Sequence, residues 1–293
     1  MKGFASPRQL AELHVHLEGT VRYETARELA AEHGLPAPPP YEYSNLAQFL
    51  QLYRPVAQSM QTSADFERVI AEHAGSMAAQ GIGYSELSFN PSLHPGSEWI
   101  GGVERGRERA REEFGVEIAW LVEMSRELPA AENELALDIA LATEGVVGLG
   151  LVGDESIPAE PLASLIDRAH SKGLRFMPHA GQTGGPEVVR EAVEILGADR
   201  IAHGVAAIDD TSLLTLLADR RVCLCVCPSS NAKIGLRADY GRLASAGVPL
   251  TVNSDDPSMV GTTLARELEL AERAYGLSRE AMIANAETFA FRT

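Results

Sequence analysis

Eight short apolar runs of strand character, separated by stretches of helical periodicity, recur along the 293 residues, and this alternation restricts the fold more than any other feature. The runs lie at 11–16, 82–89, 116–122, 146–151, 174–179, 200–203, 222–226 and 249–253. Helical patterns occupy 22–33, 44–58, 63–80 with Ser63 as N-cap, 105–114, 131–142, 161–171, 186–196, 210–218, 236–246 and 278–286. Strands that alternate with helices pair in parallel, because a parallel pair needs a crossover connection. Eight such units in a chain of this length predict an α/β fold of one domain over 1–293, a single (β/α)8 TIM barrel. In a barrel, chemistry sits at the C-terminal ends of the strands. A doubly wound sheet shares the alternation but would scatter the polar residues that end the runs.

Those polar residues fall at one mouth. His14 and His16 end the first run, His179 the fifth and His203 the sixth, while Asp255 and Asp256 follow the eighth. Two residues apart on a strand, His14 and His16 share a face and can hold one ion. A bare His-x-His is usually a hydrogen-bonded pair on a half-buried strand; the convergence of the other groups turns the reading toward a metal. His14, His16, His179 and Asp255 leave a position for water, which is the arrangement of a catalytic zinc site, one Zn2+ per chain. Nitrogen-rich ligands disfavour magnesium and calcium. Ligand type alone leaves iron and other divalent ions open. A metal of this kind makes water acidic near neutral pH, and His203 is then free to act as base or to orient the hydroxide. Gln182, three residues beyond His179, faces whatever the metal activates.

Charge narrows the ligand. Lys plus Arg number 25 against 41 Asp plus Glu, and the net charge of −16 opposes binding to nucleic acid or an anionic membrane. The expected partner is a small neutral or cationic molecule. Met1-Lys2-Gly3-Phe4 does not lead into an apolar signal core, and no uninterrupted apolar run is long enough to span a bilayer. Cys223, Cys225 and Cys227 are the only cysteines. They alternate along the seventh run as small buried residues and offer no disulfide framework, so a reducing, cytoplasmic setting is expected. His94 could touch substrate, and Asp154 and Glu155 read as supports behind the site or caps of the next helix. Oligomeric state is not legible.

The motifs His14-x-His16, His179-Ala-Gly, Arg200-Ile-Ala-His203-Gly, Cys227-Pro-Ser-Ser-Asn231 and Ser254-Asp255-Asp256-Pro257 resemble those of the adenosine deaminase family of the amidohydrolase superfamily. Gly153-Asp154-Glu155 and Gly185-Pro186-Glu187 also fit, and the resemblance runs from about Ala11 to Phe289. It implies zinc on His14, His16, His179 and Asp255, with His203 placing the attacking hydroxide at purine C6. It further implies that the Gly153 N–H and the Asp256 carboxylate hold ring nitrogens, and that an exocyclic amino group leaves as ammonia.

Two positions depart from the family pattern. After the fifth strand the family has His-Ala-Gly-Glu, whose glutamate protonates the purine ring nitrogen; here the residue is Gln182, an amide with no proton to deliver at ordinary pH. An engineered exchange, a natural homologue that takes its proton from elsewhere or runs a different reaction, and a purine-binding protein with impaired turnover are the alternatives. Glu18 stands where adenosine-specific members resemble His-x-His-Leu-Asp-Gly. It resembles the branch acting on adenine or on modified nucleosides such as aminodeoxyfutalosine, with the longer acid reshaping the sugar end of the pocket. The family also continues beyond Phe289 into a further helix.

Overall fold

The computed structural model describes residues 9–94, 96 and 99–292, so the opening residues read for a signal lie outside it. Eight strands pair in the order β1 to β8: β1 Leu10–His16, β2 Ile82–Phe89, β3 Glu117–Ser125, β4 Val146–Val152, β5 Arg175–Ala180, β6 Arg200–His203, β7 Cys223–Val226 and β8 Leu250–Val252. Every pairing is parallel. Strands so paired and covered by helices are buried on both faces, which is why they read as apolar runs rather than as alternation. Chain beyond β8 closes the ring on β1: Asp255 bridges Val15, the His16 N–H donates to the Asp255 carbonyl at 2.9 Å, and the Asp255 N–H to His14 O at 3.2 Å. The expected TIM barrel is the observed fold.

Two apolar layers hold it. The larger lies between strands and helices and includes Val15, Phe66, Ile70, Trp120, Phe176 and Leu224. A smaller cluster takes Leu13, Tyr84, Leu121, Met177 and Cys225 from five different strands, which can meet only inside the ring, and joins them to Phe291 near the chain end. Arg200 is fully buried beside it, its Nη1 donating to Phe289 O at 2.7 Å and its Nη2 paired with buried Glu86. The last residues thus stopper the barrel at the end away from His203, since Arg200 begins β6 and His203 ends it.

The helices depart from expectation in several places. Thr62, not Ser63, is the N-cap of Ser63–Ala79, in a reciprocal capping box with Asp65. The helix expected at 105–114 begins at Trp99. A Cβ at Gly102 would come within 2.2 Å of Ser63 O, so glycine is what lets this helix lie against Ser63–Ala79. The span 236–246 is helical only from Tyr240 to Ser245, capped by Asp239, and a separate turn covers Pro228–Lys233. Leu264–Tyr275 is a helix the sequence reading passed over.

Candidate active site

Left-handed backbone conformations aim two of the site residues. His203 and Asp255, which end β6 and follow β8, have φ of +63° and +65°, a region that non-glycine residues enter only when the surroundings compel them. β1 is irregular as well, its register against β2 shifting between Glu12 and Val15 where it delivers the histidines. Together these devices bring His14, His16, His179, His203 and Asp255 to one point.

The distances define a cage. His14 Nε2 and His16 Nε2 lie 3.3 and 3.2 Å from His179 Nε2, and 3.1 and 3.2 Å from Asp255 Oδ1. Atoms bound at 2.0–2.1 Å to a tetrahedral ion sit about 3.3 Å apart, so these edges match a zinc-sized ion. His203 stands one step out, its Nε2 3.8 Å from Asp255 Oδ2. His14, His179, His203 and Asp255 each offer an atom within 4.8 Å of the others.

Neighbours fix the tautomers. His14 Nδ1–H points to Cys225 O at 3.2 Å, His179 Nδ1–H to Leu151 O at 3.2 Å, and His16 Nδ1–H to Glu123 Oε1 at 2.8 Å. Each imidazole therefore spends its proton on the outer side and turns an Nε2 lone pair inward. The cage draws in positive charge: burial pulls His16 down, but Glu123 and Asp255 outweigh it and hold the group well above the usual histidine range, so without a metal a proton takes that place. The donor set fits a divalent metal.

Burial and charge set the protonation states. Burial, together with the neighbouring imidazoles, holds His179 well below the usual histidine range, and His203 is pulled down to about 3, mainly by burial. Both are neutral at pH 7. Burial pushes the Asp255 carboxyl up, but the surrounding imidazoles outweigh it and hold the group well below the usual range. Asp256 goes the other way, raised by burial and by Asp255 beside it. Its Oδ1 has no partner and lies against Gly19, where a Cβ would sit 2.0 Å away.

The Cys227-Pro-Ser-Ser-Asn231 motif works through contacts that spacing does not reveal. Ser230 Oγ donates to Asp255 Oδ2 at 2.6 Å, and the Cys227 thiol touches His14 Nδ1 at 3.4 Å. Asn231 accepts from Gln182 Nε2 at 3.1 Å and donates to Tyr240 OH at 3.0 Å. Glu267, on the helix not read from sequence, receives the Ser229 N–H at 3.0 Å and so holds the whole turn.

At the other side of the site Glu18 is fully buried. Its Oε1 accepts from His94 Nε2 at 2.8 Å and from the Asn90 N–H at 3.2 Å, and Tyr53 OH donates to Oε2 at 3.2 Å. Burial alone would raise its pKa, yet the His94 hydrogen bond and charge hold it below the usual range. Glu18 is accordingly a clamped wall residue rather than a free acid, and His94 faces it. Gly153 lies at the rim with φ of +106°, and a Cβ there would meet Glu127 Oε2 at 2.0 Å.

Sequence reasoning had Ser230 and Asn231 only as members of a motif, without a role, and missed Glu123, Tyr53 and Glu267. A signal existed for Glu123, an acid one residue past the expected end of the third strand, at a position where barrels carry chemistry. The three cysteines are free and buried, as small core residues would be. Among the described residues no helix is long and apolar enough to cross a membrane.

Known proteins resemble this chain along nearly all of its length. Residues 9–291 match the family model described as adenosine deaminase. An aminodeoxyfutalosine deaminase from Streptomyces coelicolor is 37% identical over 93% of this chain and 76% of its own. An adenine deaminase from Geotalea uraniireducens is 32% identical over 94% of this chain and 86% of its own. The crystal structure of an adenine deaminase from Arthrobacter aurescens superposes with a TM-score of 0.91 at 27% identity, covering 97% of this chain and 94% of the other. A zinc-bound amidohydrolase from Burkholderia ambifaria shares the fold, with a TM-score of 0.89 at 24% identity over 97% of this chain and 86% of the other.

Proposed function

Because the chain belongs to the adenosine deaminase family, we propose that it hydrolyses the exocyclic amino group from a 6-aminopurine at a single zinc ion and releases ammonia. The observation that carries this reading is the cage: three inward Nε2 lone pairs and the Asp255 carboxylate converge at the barrel mouth with a neutral His203 beside them.

His14, His16, His179 and Asp255 would hold the ion. A divalent metal bound there supplies the positive charge that brings the acidity of water close to neutral pH. His203, neutral and next to Asp255 Oδ2, accepts a hydrogen bond or a proton from water drawn into that gap. Ser230 keeps one Asp255 oxygen occupied, which fixes the plane of the carboxylate. Asp256, with its carboxyl raised by burial and one oxygen unpartnered, donates to a ring nitrogen that carries a lone pair. The Gly153 N–H at the opposite rim holds a second ring nitrogen. Gln182 faces the nitrogen next to the reacting carbon and hydrogen-bonds it without giving up a proton.

The substrates of the relatives bracket the choice: adenine, or a purine nucleoside with a modified sugar end. Every lone pair of Glu18 that neighbours can reach is already engaged by His94, Asn90 or Tyr53, so it closes the pocket instead of gripping a ribose hydroxyl directly. The partner is therefore a small aminopurine rather than a polymer, and the setting we assign is cytoplasmic. Metal analysis of the purified protein combined with ammonia release from adenine, adenosine and aminodeoxyfutalosine tests the reading. Zinc at one equivalent with ammonia from one of the three supports it; bound zinc and bound purine with no ammonia would overturn it.

A further inference from the structure

The segment after β5 carries an anion-binding nest that the chain fills with its own side chain. Residues 181–184 turn four successive backbone N–H groups toward Glu155, which follows β4 two residues beyond Gly153. Glu155 Oε2 accepts from Gly181 N at 2.7 Å and Gly184 N at 2.9 Å, while Oε1 accepts from Gln182 N at 3.1 Å and Thr183 N at 3.4 Å. Glu155 is 5% exposed. Successive N–H groups aimed at one point are a general anion-binding concavity, and their bonds to a carboxylate are of the strong, charge-assisted kind. Glycine is required at both ends of the turn: Gly181 has φ of +73°, and a Cβ at Gly184 would come within 2.8 Å of Glu155 Oε2.

No helix begins at this carboxylate; its bonds run across to a different βα segment. The side chain of that segment which reaches across the mouth is Gln182, itself bonded to Asn231. Glu155 therefore fixes the Gln182 backbone from one side while Asn231 fixes its amide from the other. It also ties the Gly153 end of β4 to the Gln182 end of β5, the two places from which opposite edges of a flat ring would be held.

We infer that Glu155 is a positioning residue for the deamination reaction, acting through the 181–184 nest to place Gln182 against the ring; this rests on the function proposed above. Metal binding is a separate matter, since Glu155 bonds none of the four ligand side chains. A displacement of about 1 Å at a reacting group can cost on the order of 10² in rate. Glu155→Ala should then lose roughly that factor in kcat while keeping its zinc.

The nest makes the test specific, because Glu155→Ala leaves four N–H groups facing a cavity the shape of a small carboxylate. Added formate should raise the Tm of Glu155→Ala but not of the wild type. It should restore kcat of the variant along the same saturation curve, with chloride at equal ionic strength doing neither. Should the alanine variant fail to fold, Glu155→Gln, which offers one acceptor oxygen in place of two, serves instead and should lose kcat with little change in KM. The inference is overturned if formate raises the Tm without restoring turnover, if zinc is lost in step with activity, or if Glu155→Gln turns over like the wild type. Wild-type ammonia release is measured first. Its absence would sink the deaminase reading alone, and formate-dependent tightening of adenine binding by Glu155→Ala would then decide the nest.

Discussion

Replacing Gln182 by glutamate should convert the site from one that holds the ring nitrogen to one that also protonates it. The surroundings determine how the new acid would behave. Gln182 Nε2 lies 3.1 Å from Asn231 Oδ1, and the Asn231 amide nitrogen is committed to Tyr240 OH at 3.0 Å, with both Asn231 and Tyr240 buried. A carboxyl at 182 would thus meet an oxygen that only accepts. It keeps its proton, because an ionised group there would face that acceptor unpaired. A protonated carboxyl beside the reacting carbon is a general acid, and groups of that kind contribute about 10²–10⁴ in rate. At about 1.36 kcal/mol per decade this corresponds to roughly 3–5 kcal/mol of barrier. The assay is initial-rate ammonia release with zinc content and KM measured alongside. The whole gain should appear in kcat, with a new alkaline limb in the pH profile where the introduced carboxyl ionises. A rise below tenfold in a folded, zinc-loaded variant would refute the reasoning, since residue 182 would then not be the group facing the ring nitrogen.

Three further outcomes are expected. Glu123→Ala, which strips His16 of its 2.8 Å carboxylate partner, should weaken zinc affinity about 10- to 100-fold in a chelator competition, the range for such outer partners; unchanged affinity would show that the Ser88 hydroxyl, 3.0 Å from the same Nδ1, suffices. His73 is buried without a partner for Nε2, and burial lowers its pKa to about 4 from 6.5. The unfolded chain therefore binds the extra proton first between those values, so stability falls as pH drops through that window, by about 3 kcal/mol at pH 4. His73→Leu should flatten that part of the pH–stability curve measured by urea unfolding. Glu86→Leu leaves the Arg200 charge alone in the barrel interior and should cost about 3–5 kcal/mol, whereas Glu86→Leu with Arg200→Met should cost far less. Equal losses in the single and double variants would show that the pair is not what holds that end.

All eight strands were legible because barrel strands covered on both faces are continuous apolar runs, and each expected run overlaps an observed strand. The residues of the cage were legible for a related reason: each stands at or just past the end of a run, and in this fold those ends share a mouth. What escaped were groups joined through space. Glu123 lies within β3 only because that strand runs on to Ser125, and Tyr240 serves Asn231 from a different helix. The helix Leu264–Tyr275 did announce itself, with Thr263 as N-cap and Leu264, Leu268 and Ala271 on its buried side. Buried Glu267 belongs to that same stripe, four residues after Thr263. At Gly102 close helix contact, not backbone preference, accounts for the glycine.

Asp255 belongs to two structures at once. Among the described residues its backbone makes the one bridge that joins the chain after the last strand to the first, and its side chain reaches the two imidazoles that stand on the first strand. An ion gripped there pulls on both lips of the same joint, like a rivet set across a seam. The seam that two backbone hydrogen bonds already close is thereby the one a bound ion would fasten further, so filling the cage would also stiffen the cylinder.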